Sequence, residues 1–194
     1  MKNLLNEIAK LRHSLISNDI DRTVESDIFW ATKRNKGFVN RKIYVGEIYQ
    51  FEFGKNFIPE MSYEHRGLVI GVAKRLLYVL PIHSFDSNNA GHLKAYGYNG
   101  NTNKKSKLYF LNKKDHTFLA HDSVLKLDDL RTVSIKRIKY KHKGKLDKNS
   151  GTYKEILKIV FGNCFPEYSY EYDRLAEENQ KLKLEINELK KKLD

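Results

Sequence analysis

Residues 46–86 read GEIYQFEFGKNFIPEMSYEHRGLVIGVAKRLLYVLPIHSFD, and the fold turns on them. Three apolar runs, rich in β-branched and aromatic residues, are separated by polar or Gly-containing segments, which predicts three strands. Ile48, Phe51 and Phe53 mark the first, residues 68–72 the second and residues 76–82 the third. A short hairpin through residues 73–75 would bring two polar clusters to one rim. Glu64-His65-Arg66 enters the second strand and His83-Ser84 leaves the third. A guanidinium, an imidazole and a hydroxyl at one rim are groups suited to a phosphodiester.

Working outward, residues 44–53 alternate well enough for a half-buried first strand, and residues 54–63 form a loop containing Pro59. Further strands are predicted over 107–111, 121–127 and 132–135, with a helix over 153–161 whose Ile156, Leu157 and Val160 face the sheet. Five or six short strands with one or two helices suit a small half-open barrel, so the class is mainly β with helices. Residues 87–103 are rich in Gly and Asn and read as a surface loop, with Tyr96 and Tyr98 as candidate stacking platforms for single-stranded bases.

Both ends read as helix. Leu4, Leu5, Ile8, Leu11, Leu15 and Ile16 keep a three-to-four spacing, Ser17-Asn18-Asp19 is a candidate break, and residues 32–40 form a basic connector. In the tail, Tyr172, Asn179, Ile186 and Leu193 at heptad a place Leu175, Leu182 and Leu189 at d. Asn at an a position and Glu178 and Glu185 opposite Lys183 and Lys190 of a second chain predict a parallel homodimer. The expected organisation is a helical extension and linker over 1–40, a barrel with its helix over 41–166, and a coiled coil over 167–194.

The 194 residues carry Lys+Arg 36 against Asp+Glu 24, a formal charge of +12, with 12% aromatic residues. That balance favours a polyanion, nucleic acid ahead of membrane. Lys136, Arg137, Lys139, Lys141 and Lys143 concentrate it in one run, interleaved with Tyr140 and His142. The run is either a solvated face or a track for backbone phosphates. One cysteine, Cys164, allows no intrachain disulfide and no cysteine-based zinc site. No signal peptide or membrane span is predicted, so the expected compartment is the cytoplasm.

Gly46-Glu47-Ile48-Tyr49, Arg66 heading Gly67-Leu68-Val69-Ile70, and Asp122-Ser123-Val124-Leu125 followed by Leu130-Arg131-Thr132-Val133 resemble the PemK/MazF family of toxin endoribonucleases. The resemblance covers roughly residues 42 to 162. It implies an SH3-like half-open barrel that cleaves single-stranded messenger RNA without a metal, leaving 2′,3′-cyclic phosphate and 5′-OH ends. It also implies an antitoxin protein as partner. Gly67 stands where the family usually has Pro, and His83 where its catalytic Thr sits.

The histidines show no HxxxH or HExxH spacing, and no paired Asp/Glu cluster or phosphate-cradling Gly-rich loop is present, so neither metal nor cofactor is expected. RNA supplies its own nucleophile, the 2′-OH. The candidate catalytic set is Arg66 for charge on the phosphate, His83 and His65 for proton transfer, and Ser84 as a hydroxyl donor in place of Thr. The alternative is a nucleic-acid-binding module of the same fold, dimerised by its coiled coil, that has lost the chemistry.

Overall fold

The structure, a computed structural model, describes residues 17–37 and 41–193 together with Asn6. The apolar face expected over residues 4–16 lies outside them. Helix α1 (Ser17–Lys33) is followed by seven strands: β1 (Glu47–Glu52), β2 (Glu64–Ala73), β3 (Leu76–Ser84), β4 (Leu108–Leu111), β5 (Ser123–Lys126), β6 (Arg131–Ser134) and β7 (Ile138–Lys145). Helices α2 (Gly151–Cys164) and α3 (Pro166–Leu193) complete the chain. Ser17, Asn18 and Asp19 open α1, and the residues just before them lie outside those described.

The seven strands pair antiparallel with one another, in the order β4-β5-β3-β2-β1-β7 with β6 on β3, and the sheet is not closed. Strand β3 forks: its end pairs with β5 and its beginning with β6. The hairpin is as the sequence predicts. Ala73 faces Leu76, and the turn is made by Lys74 at φ 55° with Arg75. Strand β7 departs from expectation, because a Lys-rich run looks like loop or solvated surface. It forms the outer strand beside β1, where lysines protect an open edge against pairing with another chain.

The middle of the sheet is buried on both faces. On one, Ile48, Leu68, Leu80, Ile82 and Leu125 pack with Tyr153, Ile156, Ile159 and Val160 of α2. On the other, Tyr49, Phe51, Val69, Leu77 and Val79 pack with Val133 and Ile138. These are the helix face and the inner face below. Burial on both sides explains why β2 and β3 read as unbroken apolar runs instead of alternating. Ser150 caps α2, its hydroxyl accepting the Tyr153 N–H at 3.1 Å.

The opening Gly-Glu-Ile-Tyr has a separate physical reason at each position. Gly46 sits at φ +89°, and a Cβ there would lie 2.1 Å from the Leu146 carbonyl oxygen. Glu47 is buried and accepts from the Tyr49 hydroxyl at 2.6 Å, from the Tyr44 N–H at 2.9 Å and from Lys141. Burial alone would raise its carboxyl; the bonds from Lys141, Tyr49 and Tyr44 outweigh burial and hold it below the ordinary range. Ile48 enters the helix-face core and Tyr49 the inner one.

Helix α1 lies against the ends of β1 and β2. Ser26 donates to Glu52 at 3.0 Å, Thr23 meets the Tyr63 hydroxyl at 3.0 Å, and Asp27 pairs with Lys55 at 2.9 Å. Helix α3 leaves the sheet: Leu175, Leu182, Ile186 and Leu189 are 50–59% exposed. Among the described residues no helix is long and apolar enough to cross a membrane.

Candidate functional site

The register brings Arg66 and the His83-Ser84 pair to one rim, as the hairpin predicts, because Arg66 lies opposite Ile82. It also sorts them. Neighbouring side chains on a strand point to opposite faces. Arg66, Ser84 and Ser123 therefore share the helix face, with Ser84 directly opposite Ser123. His65 and His83 share the inner face, where the same rung continues to Val124 and Phe110 on one side and to Phe51 on the other. The expected grouping of Arg66 with His83 is corrected by this alternation. The imidazoles of His65 and His83 meet each other, with ring centroids 5.5 Å apart, on the side away from the guanidinium.

The imidazole beside Arg66 belongs to His121, which sequence marks only as the start of a strand. Arg66 Nη2 is 3.2 Å from His121 Nε2, and Ser84 Oγ is 2.7 Å from the same nitrogen. Arginine has only donors, so Nε2 accepts and the ring proton of His121 is assigned to Nδ1. Ser123 ties the group together: its hydroxyl accepts from Arg66 at 3.3 Å and donates to the His121 carbonyl at 3.0 Å. Ser123 is fully buried, so this brace is part of the folded core.

The other side of Arg66 is built by β1 and β7. Gln50 lies opposite Arg66 on β2 and Tyr140 on β7, and Gln50 Oε1 accepts from His142 Nε2 at 2.9 Å. Arg66, His121, His142 and Lys143 line one groove of about 330 Å³, floored by Ile48 and walled by Phe118 and Leu119. Burial, and then the neighbouring Arg66 charge, draw the His142 imidazole below its ordinary value. Burial likewise draws the Arg66 guanidinium down, yet its affinity for a proton stays far above neutrality.

The remaining predicted residues divide. Tyr96 is corrected as a stacking platform: it is 8% exposed, stacks on Tyr109 at 5.3 Å, and donates its hydroxyl to Glu155 at 2.6 Å. Tyr98 is half-buried against Phe85 and Phe110. Of the basic run, Lys139 pairs with Glu64 and Lys141 with Glu47. Lys136 donates to the Arg34 carbonyl at 3.0 Å and Arg137 to the Glu52 carbonyl at 2.9 Å. Lys143 alone of that run lines the groove with Arg66. Leu175, Asn179, Leu182, Ile186, Leu189 and Leu193 all fall on α3, as expected.

Among the described residues, no three His, Cys, Asp or Glu side chains are grouped to hold a metal ion. The chemistry present is that of an acceptor nitrogen, a fixed cation and a hydroxyl at one point, with a second imidazole across the groove. Such a set can take a proton, stabilise an anion and return a proton. In comparisons with known proteins, the chain matches no family model and no curated protein.

Proposed function

We propose that the chain is an endoribonuclease that cuts single-stranded RNA by internal transesterification, using a PemK/MazF-like, SH3-type barrel. One observation carries the reading: Arg66 and Ser84 converge on His121 Nε2, in a groove that also holds His142 and Lys143. The motifs around Gly46, Arg66 and Asp122 support it independently. The geometry revises the roles that sequence assigns. His121 accepts the 2′-OH proton, Arg66 neutralises charge on the phosphoryl oxygens, and the imidazolium form of His142, a minority at neutral pH, gives its proton to the departing 5′-oxygen. Ser84 donates a hydrogen bond to the phosphate. In the resting protein the same hydroxyl holds the His121 ring in place.

The test is incubation of the purified protein with a long single-stranded RNA in excess EDTA. Discrete fragments ending in 2′,3′-cyclic phosphate and 5′-OH are expected, since the 2′-OH is the attacking group. Intact RNA, or fragments ending in 5′-phosphate, would rule out this chemistry. One observation favours a second reading. His83, at the family's Thr position, lies on the face away from Arg66. Tight binding of RNA without any cleavage would favour the non-catalytic module.

The same proposal includes a homodimer through α3 and an antitoxin that covers the groove. Leu175, Leu182, Ile186 and Leu189 form a half-exposed line along 28 helical residues. Asn179 sits within it at a position that favours two parallel chains in register. Removing residues 167–194 should lower the mass found by light scattering, at micromolar concentration, from two chains to one or weaken the dimer. The melting temperature should stay near that of the full chain. A full-length monomer at that concentration would contradict the pairing.

A further inference from the structure

We infer that the half-buried ring cluster on the inner face, formed by His65, His83, His92, Phe85, Tyr98 and Phe110, is a subsite for a nucleobase of the RNA strand whose phosphate lies at Arg66. This rests on the RNA reading above and adds to it where a base is held.

The rings form a connected chain. His65 meets His83 at 5.5 Å, His83 meets His92 at 6.2 Å, and His92 meets Phe85 at 5.9 Å. Phe85 then meets Tyr98 at 4.8 Å and Phe110 at 4.9 Å. Each of the six is half-buried, so each keeps part of its surface open. A packed core would bury such rings, and a solvated loop would not gather six of them.

Three histidines in a row raise the question of a metal, but no three donors among the described residues are arranged to hold one. His65 and His83 are also poor anion ligands. Burial, then the fields of neighbouring cations, lowers His65, and burial with the other imidazoles and Lys126 pushes His83 down to about 4. At neutral pH both rings are uncharged, which suits stacking and hydrogen bonding to a base better than binding a phosphate.

The position supplies the link to the groove. His65 precedes Arg66 and His83 precedes Ser84, so each strand end sends one side chain to the groove and its neighbour to the rings. A strand of RNA crossing the rim meets cation and hydroxyl on one side and aromatic surface on the other. Lys126 and Arg131, with Arg22 from α1, surround the rings with positive charge, partly balanced by Asp129 on Arg131. That setting admits a base carried on a phosphate chain.

The experiment uses the full chain and two uncleavable 12-nucleotide single strands with 2′-O-methyl sugars, one bearing bases throughout and one abasic at its central three positions. Stacking is worth about 1–3 kcal/mol per base, so the abasic strand should bind roughly 5- to 150-fold more weakly to the wild type. Tyr98→Leu and His83→Gln, which remove the ring and leave a smaller side chain of the same general character, should remove most of that difference while leaving affinity for the abasic strand unchanged. Variants that bind both strands as the wild type does, or lose both equally, overturn the subsite and leave the RNA reading standing. A wild type that binds neither strand overturns the RNA reading, and this inference with it.

Discussion

Arg66→Ala should lower cleavage at saturating RNA by about 10²–10³-fold, through lost stabilisation of charge on the phosphate. His121→Ala should lower it by about 10²–10⁴-fold, because the acceptor 2.7 Å from Ser84 and 3.2 Å from Arg66 is removed. His83→Ala is the informative contrast. Its imidazole lies on the opposite face, so the chemical step at saturation should be nearly unchanged while affinity falls. Single-turnover kinetics on one RNA separates the two. If His83→Ala abolished the chemical step and His121→Ala left it intact, the chemistry would belong to the inner face instead. Melting curves of each variant distinguish lost chemistry from lost fold.

The second large effect concerns the fold. Gly46→Ala puts a Cβ 2.1 Å from the Leu146 carbonyl oxygen at φ +89°, and the obstacle is backbone, which cannot swing aside. Left-handed strain and steric overlap each cost about 1–3 kcal/mol, so a loss of roughly 2–6 kcal/mol in unfolding free energy is expected. The urea midpoint should drop without a change in slope. Gly151→Ala is the control, because nothing lies within 4 Å of a Cβ there. Equal behaviour of the two variants would remove the geometric account of the opening motif.

Much of the architecture was legible because local signals agreed with one another. Residues 46–86 announce β1, β2 and β3 through β-branched runs and a tight turn, and Ser150 announces α2 by its cap. The heptads announce α3 by their spacing. What stayed hidden depended on pairing. That Arg66 and His83 part company follows from the register Arg66–Ile82 combined with the two-residue period of a strand, and the register is a tertiary fact. His121 lies 55 residues from Arg66 and precedes its strand, so no spacing rule joins them. Strand β7 was masked by its lysines, two of which serve Glu64 and Glu47. Tyr96 lost its apparent freedom to Glu155, a partner on α2 that the composition of its own loop does not disclose.

The burial of both sheet faces has a consequence for how this protein can change. Leu68, Val69, Val79 and Leu80 are at most 1% exposed, so the middles of β2 and β3 admit almost no substitution without a cavity or overlap. Residues 64–66 and 83–84 meet solvent at this rim, where side chains alternate between groove and rings, and the hairpin end is open as well, with Val72, Leu76 and Tyr78 exposed. Variation is therefore channelled to the two ends of these strands, one of which is the rim of the proposed groove, while the buried middles carry stability. A lineage built on this sheet can exchange His, Ser or Thr at the rim at small thermodynamic risk. On the RNA reading proposed above, new specificities are reachable by single steps.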